Sequence, residues 1–147
     1  MLQLTKIFHF EMAHAIHGYS GACKDIHGHS YELHVTVSLT EESKGYIPPP
    51  GFIFDFKELK RVTTESVIKR LDHKLVLSND YLAKHPGIVR QENLVNWEAE
   101  PTAENLLIYM QHTIAEELPP FIKLAGLKLY ETADSYASWI DTAPGKE

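Results

Sequence analysis

The stretch Tyr31-Glu32-Leu33-His34-Val35-Thr36-Val37-Ser38-Leu39 decides the fold class, because its side chains alternate strictly in character. Every odd-numbered position in it is apolar, and every even-numbered position is polar. Side chains two apart on a strand point to the same face, so this pattern predicts a strand with one buried and one polar face. We extend this strand over 29–39 and predict a preceding partner strand over 3–13.

Two helices are predicted after this pair of strands. Asp55 is a good cap for the first, which ends near Leu71, and Thr102 is a good cap for the second, which Pro119-Pro120 stops. Each helix carries an apolar stripe at helical spacing: Phe56, Leu59, Val62, Val67 and Leu71 in the first, and Ala103, Leu106, Leu107, Met110, Ile114 and Leu118 in the second. Two last strands are predicted over 124–131 and 135–140.

The order strand, strand, helix, helix, strand, strand predicts an α+β fold, a four-stranded antiparallel sheet with two helices on one face. Residues 72–101 have no sustained period and are predicted to be a long connection. The chain of 147 residues has the length of a single domain, 1–147, with neither linker nor internal repeat. A four-stranded sheet leaves open edges that invite pairing with another copy, so we expect a homo-oligomer.

Composition excludes several function classes. The formal net charge is −6 and the 14 Lys and Arg residues form no long run, which argues against a nucleic-acid partner. The single cysteine cannot form an intramolecular disulfide, and no apolar run approaches the ~18 residues of a membrane span. The N-terminus lacks a secretory pattern, so we expect a soluble cytoplasmic protein.

A metal site is predicted where the second strand opens. His27 and His29 are two apart and therefore share a strand face, so their imidazoles can bind one ion. His14, at the end of the first strand, would complete a three-histidine set if the two strands pair. Three neutral imidazoles with an open fourth position suit catalytic Zn²⁺. The alternative is that this His-Gly-His sequence is only a surface turn. Other possible ligands nearby are His9, His17 and His34, but His34 lies on the opposite strand face from His27 and His29.

Four further residues carry reactive groups. Cys23 lies four residues before His27, where a cation would favour its thiolate, although a buried structural cysteine is the alternative. Asp72-His73 could support proton transfer, or could simply end a helix. Glu131 shares its parity with Ala125, Leu127 and Leu129, which aims the carboxylate at the apolar face. It could there bind the amidine-like edge of a heterocycle, a lysine or a backbone amide.

Six segments in this order resemble the 6-pyruvoyl-tetrahydropterin synthase family over residues 4–140. They are Phe10-Glu11-Met12-Ala13-His14, Cys23-Lys24-Asp25-Ile26-His27-Gly28-His29, the run 51–60, Leu71-Asp72-His73, Pro101-Thr102-Ala103-Glu104 and Tyr130-Glu131-Thr132. Three residues separate Cys23 from His27, which is similar to the bacterial 6-carboxy-5,6,7,8-tetrahydropterin synthase branch of queuosine biosynthesis. Two features depart from the pattern: Glu100 replaces a usual Asn, and the segment 74–97 is longer.

The resemblance implies a tunnelling (T-fold) subunit in a homo-oligomer, commonly a hexamer, with active sites at subunit contacts. It implies Zn²⁺ bound by His14, His27 and His29, and Cys23 as catalytic base. It also implies Asp72 and His73 as a proton relay, Glu131 as the pterin anchor and Thr102 as a residue lining the pterin pocket.

The implied activity is a carbon–carbon lyase reaction on 7,8-dihydroneopterin triphosphate, which yields 6-carboxytetrahydropterin, acetaldehyde and triphosphate. The alternative is 6-pyruvoyltetrahydropterin synthase, a carbon–oxygen lyase that eliminates triphosphate at the same site. A non-catalytic module that binds pterin or metal is a third reading. The retained Cys23 beside the histidines speaks against that module.

Overall fold

The computed structural model describes residues 1–143 and contains one six-stranded sheet with helices against it. The strands are β1 (Gln3–His14), β2 (His27–Leu39), β3 (Lys74–Ser78), β4 (Leu94–Trp97), β5 (Ile122–Thr132) and β6 (Ser135–Ile140). The helices are α1 (Phe56–Thr63), α2 (Lys69–Leu71), α3 (Asn79–Lys84) and α4 (Ala103–Glu117), and a π-helical turn, Thr64–Ile68, joins α1 to α2. Spatially the strands run β4-β3-β1-β2-β5-β6.

The predicted four-stranded antiparallel sheet is wrong in strand number and in direction. The segment expected to be a connection forms β3 and β4, which extend the sheet in parallel beyond β1. Both Val76 and Leu77 are buried in β3, because that strand is covered on both faces. A strand buried on both faces has no alternation of apolar and polar residues, so its sequence carries no period-two signal.

The α+β class and the position of the two predicted helices are confirmed. One face of the β1–β2–β5 sheet packs against α1, the π-helical turn and α4 around a single core. Leu33 and Leu129 from the sheet and Leu59 and Leu106 from the helices are fully buried there. The other face of these strands carries polar side chains and has no helix packed against it in the described part of the chain; we call it the open face.

A second, smaller cluster lies on the other side of β3. Ala15, Leu77, Tyr81 and Leu82 are buried together, and Leu75 packs against them. Adjacent residues on a strand face opposite ways, so Val76 enters the main core while its neighbours enter this second cluster. α3 therefore covers β3 on the side away from α1 and α4.

The predicted helix starts are correct in detail. The Asp55 carboxylate accepts a hydrogen bond from Lys57 N at 2.8 Å, and Thr102 Oγ1 accepts one from Asn105 N at 3.2 Å. Each caps an amide that has no partner within its helix. Within residues 1–143, no helix combines the length and apolar character needed to cross a bilayer.

Candidate active site

The register of the β1–β2 hairpin brings three imidazoles to one place. His14 lies directly opposite His27, and His29, two residues further along β2, lies opposite Met12. All three side chains are therefore on the helix-covered face of the sheet, at the end of the hairpin. One ring nitrogen from each lies within 4.8 Å of the others. The structure thus brings together the three histidines that the sequence proposed as ligands.

Backbone carbonyls fix the protonation of two of these rings. His14 Nδ1 lies 2.7 Å from Pro101 O, and His27 Nδ1 lies 2.7 Å from Asp25 O. A carbonyl oxygen can only accept, so both Nδ1 atoms carry the proton and both Nε2 atoms are bare in the neutral rings. This is the arrangement that orients a histidine to bind a metal through Nε2.

The two bare nitrogens face each other. His14 Nε2 and His27 Nε2 are 3.1 Å apart, and the His29 ring centre lies 5.2 Å and 5.0 Å from the other two. Two lone pairs at this separation repel unless a cation lies between them. Nitrogens bound to one tetrahedral zinc ion at 2.0–2.1 Å are about 3.3 Å apart, so the observed spacing fits a shared ion. The donor set fits a borderline divalent cation.

Burial lowers the pKa of two of these rings. The pKa of His14 is lowered to about 4, chiefly by burial and further by the neighbouring His27 and His29. The pKa of His29 is also lowered by burial, although the Glu131 carboxylate opposes this shift. Neutral imidazole is the form that binds a metal, and the lowered pKa values of these two histidines favour that form under mildly acidic conditions.

The stability of the metal-free protein should consequently fall as the pH is lowered from 6.5 to 4. Unfolded His14 takes up its proton near pH 6.5 whereas folded His14 resists it down to about 4, so acid favours the unfolded chain. The shift corresponds to about 3 kcal/mol at the acid end. Urea unfolding of the apoprotein at several pH values measures it. His14→Asn should flatten the dependence by that amount; an equal slope in both proteins would contradict the assignment.

The rival histidines lie elsewhere. His34 bonds Glu32 Oε2 at 3.2 Å on the open face, as its parity predicted, and His9 Nε2 lies 4.0 Å from Glu32 Oε1 on the same face. His17 lies in the loop between β1 and β2, where its backbone amide donates to Glu100. None of the three joins the cluster of ring nitrogens.

Tyr31 and Glu131 complete the surroundings of the histidines. Tyr31 is fully buried, and its hydroxyl lies 3.5 Å from His14 Nδ1. Its pKa is raised by burial and by the negative charge of Glu131. Glu131 is half-buried, and its charge also acts on His29. Ala125 is not a guide to the direction of its carboxylate, because a bulge interrupts the register there, and that direction remains a prediction.

Cys23 lies in a short 3₁₀ turn, Ala22–Lys24, within the loop that joins His14 to His27. The residue is exposed, so the alternative of a buried structural cysteine is wrong. Its carbonyl accepts a hydrogen bond from Ile16 N at 2.8 Å, which closes the loop back onto the end of β1. The thiol thus belongs to the same end of the hairpin as the three imidazoles.

Asp72 and His73 form a pair at a different place. Asp72 Oδ1 lies 2.9 Å from His73 Nδ1 and accepts a hydrogen bond from Glu11 N at 2.9 Å. His73 has a left-handed backbone, φ 59°, at the turn into β3, and its side chain is 78% exposed. Strained backbone of this kind occurs often at functional sites.

The pair is bonded to Glu11, whereas the Cys23 loop is bonded to Ile16, five residues further along the chain. His73 borders a cavity of about 380 Å³ formed by residues 11–13, 28–30, 73–75 and Asn93. In that region Ser30 donates to Glu11 on the open face. Glu11 is three residues, or ~10 Å of strand, from His14, whose imidazole is on the opposite face. The cavity has the size of a small-molecule site, and Lys74 is among its lining residues.

A family comparison agrees with this geometry. Residues 3–141 match the model of the family described as 6-pyruvoyl tetrahydropterin synthase. The chain belongs to the 6-pyruvoyl tetrahydropterin synthase family. The match covers both the hairpin that carries the histidines and the strand that carries Glu131.

Relatives in the 6-pyruvoyl tetrahydropterin synthase family carry several names. The chain is 28% identical to 6-carboxy-5,6,7,8-tetrahydropterin synthase of Rickettsia typhi, over 92% of this chain and 98% of that protein. It is 31% identical to dihydroneopterin monophosphate aldolase of Pyrococcus furiosus, over 83% and 82%. The structure of Caenorhabditis elegans 6-pyruvoyl tetrahydropterin synthase superposes with a TM-score of 0.69 at 20% identity, covering 96% of both chains, and supports the T-fold class.

Some residues around this family site were not indicated by the sequence. Pro101 and Asp25 act through backbone carbonyls, which any residue type would supply, so no side-chain signal could reveal them. Tyr31 could have been found, because it shares the strand parity of His27 and His29 and a buried hydroxyl requires a partner. Thr102 is found at its predicted cap position, and its place in a pterin pocket remains a prediction.

Proposed function

We propose that this protein is a zinc-dependent lyase that converts 7,8-dihydroneopterin triphosphate and water to 6-carboxy-5,6,7,8-tetrahydropterin, acetaldehyde and triphosphate. The observation that carries the proposal is the pair of bare Nε2 atoms of His14 and His27, 3.1 Å apart with His29 beside them. Three neutral nitrogens and an open side are the donor set of a catalytic zinc site. The name of the Rickettsia relative, 6-carboxy-5,6,7,8-tetrahydropterin synthase, supports the carboxy branch.

Each residue has a role that follows from its chemistry. His14, His27 and His29 would hold the metal, which when bound supplies Lewis acidity toward the side-chain hydroxyls of the substrate. The Cys23 thiolate removes a proton from the adjoining carbon. The Glu131 carboxylate binds the amidine edge of the pterin with two parallel hydrogen bonds, and Thr102 lines the same pocket.

Asp72 and His73 supply the proton relay. Asp72 Oδ1 lies 2.9 Å from His73 Nδ1, and the ring is exposed, so its Nε2 can exchange protons with a substrate. Because the pair and Cys23 lie apart within one chain, we propose that a neighbouring subunit brings its Asp72 and His73 to this thiol. A homo-oligomer of single-domain subunits, of which the family hexamer is the expected form, then makes the complete site.

A mixing experiment tests this shared site. Cys23→Ala and His73→Asn subunits should each be inactive alone, and the mixed oligomer should regain about a quarter of wild-type activity, because about one site in four receives both intact groups. Activity is measured after the two variants are denatured together and refolded. Mixing each variant with itself is the control. If the mixture stays inactive while refolded wild type recovers, both groups belong to the same chain's site.

Product analysis tests the reaction itself. Purified protein with zinc should convert 7,8-dihydroneopterin triphosphate with release of acetaldehyde, detected by coupled reduction, and with triphosphate formation. Pyruvoyltetrahydropterin without acetaldehyde would favour the 6-pyruvoyl alternative. Turnover of the monophosphate alone would favour the aldolase activity named for the Pyrococcus relative. No turnover of any pterin would favour the non-catalytic module.

A further inference from the structure

The segment that enters α4 is bonded to both halves of the candidate site. Glu100 Oε1 accepts a hydrogen bond from the backbone amide of His17 at 2.7 Å, and Pro101 O accepts one from His14 Nδ1 at the same distance. His17 belongs to the loop that carries Cys23, and His14 belongs to the metal cluster. Two consecutive residues thus contact the thiol loop and a metal ligand.

This segment is itself held firmly. The carbonyl of Glu100 accepts from Asn105 Nδ2 at 3.0 Å and from Thr102 N at 2.8 Å. Thr102 in turn caps α4, whose Leu106, Met110 and Ile114 are fully buried in the core. The carboxylate of Glu100 therefore projects from a fixed support, and any group bonded to it takes its position from the core.

The hydrogen bond between Glu100 and His17 is close along the chain to the one that holds Cys23. His17 follows Ile16, whose amide donates to Cys23 O at 2.8 Å. Apart from this bond and turns local to the loop, residues 18–24 are mostly exposed, so few packing contacts fix them. A hydrogen bond to a carboxylate is roughly twice as strong as a neutral one. The Glu100–His17 bond is therefore a main restraint on where the loop stands relative to the imidazoles.

We infer that Glu100 is a positioning residue, whose carboxylate holds the Cys23 loop at a fixed position relative to the metal centre. The inference rests on the proposed function, because it assigns Glu100 a part in orienting the catalytic thiol. Its carboxylate is occupied by the loop amide and bonds none of the three imidazoles. It should therefore affect the rate of the chemical step and leave metal binding unchanged.

Three variants test the role. Glu100→Ala removes the acceptor, Glu100→Asp shortens its reach by one methylene, and Glu100→Gln keeps an acceptor oxygen at the same place. We expect the Ala and Asp variants to lose kcat by about 10–100-fold, because a misplacement of ~1 Å costs that much. KM for 7,8-dihydroneopterin triphosphate and zinc content should stay near wild type. The Gln variant should keep kcat within about threefold, as should Glu98→Ala, which removes an exposed carboxylate two residues away.

A second measurement does not depend on turnover. Hydrogen exchange of the backbone amides over residues 16–24, followed by mass spectrometry on the zinc-loaded protein, should be faster in the Ala and Asp variants and unchanged in the Gln variant. The inference is overturned if Glu100→Asp keeps both wild-type kcat and wild-type exchange, if the Gln variant is as impaired as the Ala variant, or if zinc is lost. Absence of turnover in wild type would refute the proposed function. The exchange data would still show whether Glu100 restrains residues 16–24.

Discussion

Replacing Cys23 by alanine is expected to reduce turnover of 7,8-dihydroneopterin triphosphate by about a thousandfold, because a positioned general base contributes 10²–10⁴ to the rate. Bound zinc should remain at the wild-type level. Cys23 lies in the loop at the end of the hairpin, whereas the ring nitrogens that face one another come only from His14, His27 and His29. Turnover and metal content, measured on the same preparation, check both parts.

Ser20→Ala is the matched control for this variant, because Ser20 is an exposed small polar residue in the same loop. It should keep full activity. A Cys23→Ala enzyme within tenfold of wild type would exclude the thiol from the mechanism. Loss of zinc from it would instead make the cysteine a ligand, which the three-histidine geometry does not predict.

Replacing His27 by alanine should remove both the metal and the activity. This variant leaves His14 Nε2 without the nitrogen that faces it at 3.1 Å and leaves two ligands of three. We expect less than about a tenth of the wild-type zinc content after dialysis, and a fall in kcat/KM of at least about a thousandfold, because the metal is the Lewis acid of the proposed reaction. Elemental analysis and the product assay measure these effects.

His34→Ala is the control here, since His34 is on the same strand β2 but bonds Glu32 on the open face. It should retain zinc. Far-ultraviolet circular dichroism should be the same for both variants, which separates loss of a ligand from loss of the fold. If His27→Ala binds zinc as wild type does, the proposed metal centre is wrong.

The sequence predicts those helices and strands in which one face is buried and the other is exposed to solvent. The alternation in β2 and the apolar stripes of α1 and α4 each follow from this asymmetry, and so they predict the helices and the central strands. β3 and β4 lack it, because β3 is covered on both faces and β4 is only four residues long. Their parallel pairing with β1 depends on contacts distant in sequence, which a local pattern does not encode.

Part of the candidate site can likewise be predicted from the sequence, and part of it cannot. Strand parity alone groups His27 with His29 and excludes His34, and the hairpin register adds His14. That Asp72 and His73 lie away from Cys23 could not be predicted, since it depends on which edge of β1 receives β3. The bond from Glu100 to His17 joins residues 83 apart and has no periodic signal.

The Pro101 carbonyl that orients His14 has a consequence for the order in which the chain assembles. The three imidazoles come from a hairpin and can meet as soon as β1 and β2 pair, whereas the carbonyl is 87 residues away from His14. A nascent hairpin could therefore gather a metal ion early but hold it loosely. Loss of such an outer partner typically weakens metal affinity by about 10–100-fold. Tight retention would begin only when α4 has docked, so the final affinity would be a property of the completed fold.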